Sequence, residues 1–158
     1  EGLDSNSTQE DIQKILTEYG IKSNIQHSKL NIKNLSNVSL VLWGSGSPKR
    51  EFLHVNDMAA AALFVLELDE EIYRSNTKPM LSHINVGTGK DVTIKEMAET
   101  MKQVVGFKGD LTFDTTRHDG SPRKLINVSR LSNMGWNCSI TLEDGLKETY
   151  KWFLNNKE

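Results

Sequence analysis

The chain has 158 residues, of which 37% are hydrophobic and 25% are charged, and its formal net charge is −2. This composition is typical of one folded globular domain rather than of a disordered segment. The near-neutral charge, with no basic cluster, argues against a nucleic-acid-binding protein. The longest apolar run, MAAAALFVLEL, is too short to span a bilayer.

Cysteine and histidine usage argues against disulfides and metal sites. The single cysteine, Cys138, allows no internal disulfide, and the four scattered histidines lack the spacing of a zinc site. The first residues, EGLDSNSTQED, are too acidic and polar for a secretory signal. We therefore expect a cytoplasmic protein with no metal, no nucleic-acid partner and no membrane partner.

The first predicted element is a short amphipathic helix. A capping box that begins at Ser7 or Thr8 starts this helix, and Gly20 ends it. The run KSNIQHSKLNIKNLSN that follows has no clean period and many turn formers, which predicts a loop or linker.

A strand and a helix are predicted next. The run VSLVLWG is rich in β-branched and apolar residues and predicts a mostly buried strand. A helix then runs from about Met58 to Leu68, capped by Asn56 or Asp57. Its apolar residues lie nearly all round, so we expect it to be deeply packed.

The remaining elements continue the alternation of helix and strand. A loop over RSNTKPML leads to a short buried strand in SHINVGTG, and VTIKEMAETMKQVVG is the clearest helix, with Thr93 and Glu96 as its capping box. A strand over DLTFD, a charged loop over DGSPRKL, a helical turn or two over SRLSNMGW and an amphipathic helix over TLEDGLKETYKWFLNN complete the chain. This pattern predicts an α/β domain.

The loop LWGSGSPKREF has the residue types of a nucleotide site. Gly44 and Gly46 let a ligand approach the backbone closely, and Arg50 offers a planar fork of donors suited to phosphate. Trp43 has a flat face on which a base or sugar can lie. From spacing alone, a turn with a core tryptophan and solvated cations is the simpler interpretation, because GSG is not a phosphate-loop pattern.

A second loop, HDGSPRK, has a comparable set of side chains. Asp119 can accept hydrogen bonds from sugar hydroxyls or guanine, and Arg123 and Lys124 can neutralise a diphosphate. The same DGSP is equally a turn in its own right. The run NVGTG lacks the third glycine of the dinucleotide fingerprint, so we interpret it as a turn.

Catalytic groups are not evident. His54 and His83 are interpreted as structural histidines, and Cys138 has no evident basic partner that would make it a nucleophile. No residues for hydride transfer are predicted here, because the chain lacks a Tyr-x-x-x-Lys motif. The positions four residues after the three tyrosines hold Ser23, Thr77 and Leu154.

The runs LWGSGSPKREFLHVNDM, NTKPMLSHINVGTG and DGSPRKL, in that order, closely resemble the C-terminal half of the GDP-L-fucose synthase family. The likeness extends over about residues 38 to 156. It implies the substrate-binding part of an extended, Rossmann-type short-chain dehydrogenase/reductase, with NADP bound by an N-terminal domain upstream. The family epimerises GDP-4-dehydro-6-deoxy-D-mannose at C3 and C5 and reduces C4 with NADPH. We expect the complete enzyme to be a homodimer.

The resemblance assigns roles to four residues. Trp43, Arg50 and Asp119 match the family's substrate-contacting tryptophan, arginine and aspartate, and Lys124 matches a lysine near the diphosphate. It implies no catalytic, cofactor-binding or metal-binding residue in this chain. The fragment alone is therefore expected to be inactive.

The N-terminal segment departs from the family pattern. We interpret residues 1–37 as an insertion helix with its linker and residues 38–158 as the GDP-sugar-binding domain. His27 is accordingly not equated with the family's histidine. The cofactor domain and the catalytic set are expected upstream.

Three other interpretations stay open at this point. The chain can be part of an enzyme for another nucleotide sugar, which a preference for UDP over GDP would reveal. It can be a stand-alone module that binds nucleotide sugars or mediates dimerisation without catalysis. It can also be a fragment that does not fold stably alone, because the helix after Asp57 is apolar all round.

Overall fold

The computed structural model describes residues 8–23 and 38–156. Helix α1 (Gln9–Glu18) begins with a capping box in which Thr8 and Asp11 bond each other's backbone amides, as predicted. Strand β1 (Ile21–Ser23) follows directly. The expectation for His27 and most of the predicted linker lie outside the described residues.

The first of two small sheets contains the strand that ends at the tryptophan. Strand β2 (Val38–Trp43) pairs in parallel with β5 (Asp110–Asp114) and antiparallel with β1. The predictions of β2 and β5 are confirmed, although most of β2 is only half-buried. The register places Trp43 beside Asp114, so both side chains leave the same end of two parallel strands.

The second sheet is built from three strands of two residues each. Strand β3 (Lys49–Arg50) lies between β4 (Val92–Thr93), which is antiparallel to it, and β6 (Arg123–Lys124), which is parallel. The prediction that DGSPRKL is entirely loop is therefore wrong at its basic pair. These strands are too short to show a period of two, so the sequence held no signal for them.

Helix α2 (Val55–Leu66) differs from its prediction in both its start and its packing. His54 is the cap, with its Nδ1 accepting from the Asn56 amide at 3.3 Å. Most of the helix is exposed, including Leu66 at 80%, and only Asp57 and Ala61 are buried. The prediction that α2 is deeply packed is therefore wrong, because no described element covers most of the apolar surface of this helix.

Four further helices complete the described chain. Helix α3 (Glu70–Asn76) was not predicted, although Asp69 caps it and its first turn is acidic. Helix α4 (Ile94–Val105) has the predicted Thr93–Glu96 capping box, and it packs against α6 (Leu142–Asn156). Helix α5 (Ser129–Asn133) contains one of the four buried hydrophobic residues of the described chain, which are Val38, Ala61, Leu131 and Met134.

The predicted strand in SHINVGTG is absent from the described structure, and His83 is exposed rather than buried. A strand needs a hydrogen-bonded neighbour, and none of the described segments pairs with this run. The six strands and the helices around them nevertheless confirm the α/β class. None of the described helices is long and apolar enough to cross a membrane.

Candidate functional site

The two glycine-rich loops singled out in the sequence meet in the structure. The loop after β2 and the loop after β5 are joined at their bases, where the Gly44 amide donates to the Asp114 carbonyl at 3.0 Å. They are joined again where the Lys49 amide donates to the Pro122 carbonyl at 2.8 Å. A Cβ on Gly44 would lie 2.3 Å from a carboxylate oxygen of Asp119, so only glycine permits this close approach. The two candidate loops therefore form a single site.

Asp119 holds this junction together. Its Oδ1 accepts from the Ser45 amide at 2.8 Å, and its Oδ2 accepts from the Ser45 hydroxyl at 2.6 Å. The Ser45 hydroxyl and then its amide lower the pKa of Asp119, so the carboxylate stays ionised at neutral pH. Each carboxylate oxygen has a further lone pair, so Asp119 can still accept from a ligand while it fixes the loop.

Arg50 and Lys124 lie side by side. They are register partners on the parallel strands β3 and β6, so their side chains point to the same face. Arg50 is half-buried, and its Nη1 donates to the carbonyls of Lys49 at 2.6 Å and Ser121 at 2.8 Å. Within residues 8–23 and 38–156 neither Arg50 nor Lys124 forms an ion pair with a carboxylate.

The neighbouring register pair has a different electrostatic environment. Lys49 and Arg123 point to the opposite face, where Arg123 forms an ion pair with Asp91 at 2.5 Å. The hydrogen bond and the charge of Arg123 hold the pKa of Asp91 below its usual range, and Lys49 adds to this effect. Of the two cations proposed from HDGSPRK, Arg123 is therefore engaged within the protein, whereas Lys124 is available for a ligand.

Trp43 is exposed at 74% rather than placed in a core. It lines a cleft of about 120 Å³ between the two loops, together with Arg50, His118, Asp119 and Gly120. Arg50 also lines an adjacent cleft of about 270 Å³, whose other walls are residues 138–142 and the segment around Thr88. Arg50 thus lines both open spaces, and Trp43 lines the smaller one.

The NVGTG turn is occupied by a carboxylate of the chain itself. Oε1 of Glu51 accepts from the amides of Thr88 and Gly89, both at 2.6 Å, and Oε2 accepts from the Ile126 amide at 3.2 Å. These amides are the donors that a phosphate would need in a phosphate-binding turn. The turn therefore serves to connect β3 with the segment after β6.

The remaining candidate groups do not line the cleft that contains Trp43 and Asp119. His54 caps α2, the His83 carbonyl accepts from Arg130, and Cys138 is half-buried in the wall of the larger cleft. In the described parts of the chain no group of three histidine, cysteine, aspartate or glutamate side chains is placed to hold a metal ion.

Sequence reasoning missed three residues that shape the site: Ser45, Glu51 and Arg117. Ser45 and Glu51 act through contacts 74 and 37 or more residues away, which no local pattern reveals. Arg117 lies 5.0 Å from the ring centroid of Trp43. In the sequence, the only indication that Arg117 lies near Trp43 is its position three residues after β5, the strand that pairs with β2.

Comparison with known proteins gives consistent matches. The family model described as the NAD dependent epimerase/dehydratase family matches residues 19–87. The GDP-L-fucose synthase of Escherichia coli (strain K12) is 58% identical over 119 residues, which are 75% of this chain and 37% of that protein. The chain thus spans little more than a third of this relative.

Two solved structures are also similar. A GDP-6-OMe-4-keto-L-xylo-heptose reductase from C. jejuni superimposes with a TM-score of 0.74 at 32% identity, over 96% of this chain and 40% of that one. A GDP-L-fucose synthetase from Naegleria fowleri bound to NADP has a TM-score of 0.60 at 27% identity, over 75% of this chain and 35% of that one. Both proteins carry a GDP-sugar in their names.

Proposed function

Because the chain belongs to the NAD-dependent epimerase/dehydratase family, we propose that it is the GDP-sugar-binding part of a GDP-L-fucose synthase. The resemblance to GDP-L-fucose synthases that the sequence indicated is confirmed by the Escherichia coli relative. The complete protein then epimerises GDP-4-dehydro-6-deoxy-D-mannose at C3 and C5 and reduces C4 with NADPH. In this proposal residues 38–158 bind the substrate, and residues 1–37 are an insertion.

The unpaired cations of β3 and β6 carry the proposal. Arg50 and Lys124 share one face, while on the other face Arg123 forms an ion pair with Asp91. Two adjacent cations repel each other, and a half-buried guanidinium without an anion is costly, so a doubly charged ligand relieves both effects. A nucleoside diphosphate has the matching negative charge.

Trp43 and Asp119 give the site its second half. The exposed indole offers a flat apolar surface to a base or sugar ring, and the ionised Asp119 accepts from hydroxyl or amine donors. With the diphosphate held by Arg50 and Lys124, these contacts fix the orientation of the sugar. Orientation of this kind accounts for several kcal/mol of a reaction barrier.

The cofactor does not fit the described residues. NADPH supplies the hydride when it is bound, but the NVGTG turn lacks the dinucleotide fingerprint and its Thr88 and Gly89 amides are occupied by Glu51. We therefore assign no residue of this chain to NADP and none to proton or hydride transfer. The rest of the complete protein, which we propose to be a cytoplasmic homodimer, holds both.

The test is calorimetric titration of the complete protein that carries this chain with GDP and with UDP. We expect GDP to bind, UDP to bind more weakly, and Arg50→Ala to weaken GDP roughly tenfold to a hundredfold, as for loss of a charged hydrogen bond. With GDP-4-dehydro-6-deoxy-D-mannose, the same variant should raise KM while the circular dichroism spectrum is unchanged.

Arg74→Ala is the matched control. Arg74 is an exposed arginine of α3 whose partner is Glu70 four residues earlier, so its loss should leave GDP binding unchanged. Wild-type affinity in Arg50→Ala would refute the diphosphate clamp. A preference for UDP would instead indicate an enzyme for another nucleotide sugar, and GDP binding without turnover in the complete protein would indicate a non-catalytic module.

A further inference from the structure

Trp43 has a cationic neighbour that the diphosphate clamp does not use. The guanidinium carbon of Arg117 lies 5.0 Å from the centroid of the indole ring. This is within the range of a cation–π contact, which stabilises exposed pairs by a few-fold in equilibrium constant. Since Trp43 is still 74% exposed, Arg117 leaves most of the ring open to a ligand.

The backbone places Arg117 next to the ring. Asp114 is the register partner of Trp43, and the chain turns immediately after it. The Asp114 carbonyl accepts from the Arg117 amide at 3.2 Å, and one carboxylate oxygen of Asp114 accepts from the Thr116 amide and hydroxyl. The other oxygen lies 3.9 Å from Nε of Arg117. The tight turn at the end of β5 thus places the guanidinium of Arg117 next to the indole of Trp43.

We propose that Arg117 is a positioning residue of the nucleotide site, which stacks on one face of Trp43 so that the opposite face receives the nucleobase. The inference rests on the proposed function and adds the base subsite to it. An exposed tryptophan at a strand end has few packed neighbours to restrict its rotamers, so the guanidinium lowers the entropy lost on ligand binding. Because every base has a π-face, this stacking contributes affinity without choosing the base.

The test is a double-mutant cycle on the complete protein, with GDP affinity measured by calorimetry. Arg117→Met keeps the length of the side chain and removes its charge and planar fork. We expect it to weaken GDP about threefold, Trp43→Ala to weaken GDP more, and the double variant to match Trp43→Ala alone. Arg117→Lys, which keeps the charge, should restore most of the affinity.

The outcomes separate this inference from the proposed function. Wild-type affinity in Arg117→Met, with Arg50→Ala impaired, would overturn the role of Arg117 and leave the diphosphate clamp standing. Losses that add in the double variant would overturn it too, since Arg117 would then act independently of the indole. If the wild-type protein does not bind GDP, both proposals fall.

A second measurement needs no ligand. Acrylamide quenching of the Trp43 fluorescence, taken as the difference between each protein and its Trp43→Phe counterpart, should increase in Arg117→Met. A matched control is Arg74→Met, which removes a guanidinium from α3 and should leave the quenching unchanged. Unchanged quenching in Arg117→Met would show that the cation does not hold the ring.

Discussion

Replacement of Asp57 by asparagine tests how much the hydrogen bonds between α2 and the wall of the larger cleft stabilise the fold. Asp57 is 4% exposed and lies in the first turn of α2. Its carboxylate accepts from the Ser139 amide at 3.2 Å, the Ser139 hydroxyl at 3.0 Å and the Ile140 amide at 2.9 Å. Ser139 and Ile140 also line the larger cleft beside Arg50. One carboxylate therefore connects α2 to a wall of the site.

The expected loss in the free energy of unfolding is at least about 2.5 kcal/mol. Asparagine keeps one acceptor oxygen and replaces the other with an amide nitrogen that faces a backbone donor. The variant loses at least one hydrogen bond to a charged group, which contributes about 1.5–3 kcal/mol, and leaves a buried donor unsatisfied, which costs about 1–3 kcal/mol. A loss of this size corresponds to roughly a hundredfold change in the unfolding equilibrium constant.

Urea unfolding of the complete protein, followed by circular dichroism, measures this loss. Asp69→Asn is the matched control: it makes the same chemical change at the exposed cap of α3, where asparagine caps equally well, and should change stability by less than about 0.5 kcal/mol. Equal stability of the Asp57 variant and this control would refute the reasoning.

The pH dependence follows from the same contacts. Burial raises the pKa of Asp57, but the bonds from Ile140 and Ser139 and the nearby His54 outweigh burial, so that the net pKa is lowered. A lowered pKa stabilises the fold above the unfolded value of about 3.9, and this contribution is lost as the pH falls below it. The difference in unfolding free energy between wild type and Asp57→Asn should therefore shrink as the pH falls below about 4.

Three further predictions concern single contacts. Ser45→Ala should raise the pKa of Asp119, because the hydroxyl is the main cause of its depression; an unchanged carbon-13 NMR titration would contradict this. Gly46→Ala should destabilise the protein more than Gly106→Ala in thermal melts. Both have positive φ, but a Cβ at Gly46 would lie 2.5 Å from a ring carbon of Phe113, and at Gly106 it meets nothing within 4 Å; equal shifts would be evidence against the clash. Thr93→Ala should lower the free energy of unfolding by about 1 kcal/mol, because the cap of α4 is lost, and Thr93→Ser should lower it much less. Equal losses would show that the hydroxyl does not form the cap.

Local chemistry predicted the elements whose causes lie within a few residues. The capping boxes at Thr8 and Thr93 and the stop at Gly106 appear where expected, because a cap is a contact between residues three or four apart. The strands β2 and β5 were predicted from apolar and β-branched runs. For the two glycine-rich loops, spacing alone favoured simple turns, and only the family resemblance indicated a nucleotide site; that role stays a prediction.

Errors occurred where distant partners decide the outcome. The run SHINVGTG has the composition of a strand but no paired neighbour in the described chain, and the apolar surface of α2 has no described element over it. The basic pair of β6 was predicted as loop, yet it pairs with β3. Neither the pairing of a strand nor the burial of a helix face can be predicted from the residues of one segment, because both depend on distant partners.

By itself the sequence determined which side chains the proposed site can use, which are Arg50, Lys124, Trp43 and Asp119, together with the glycines of its tight loops. Only the tertiary structure decided how they are used. It pairs Arg50 with Lys124 on one face, commits Arg123 to Asp91, and brings Ser45 to Asp119 and Arg117 to Trp43. The physical reason is that charge pairing and stacking act over a few ångströms in space, whereas these partners lie 32 to 74 residues apart in the chain.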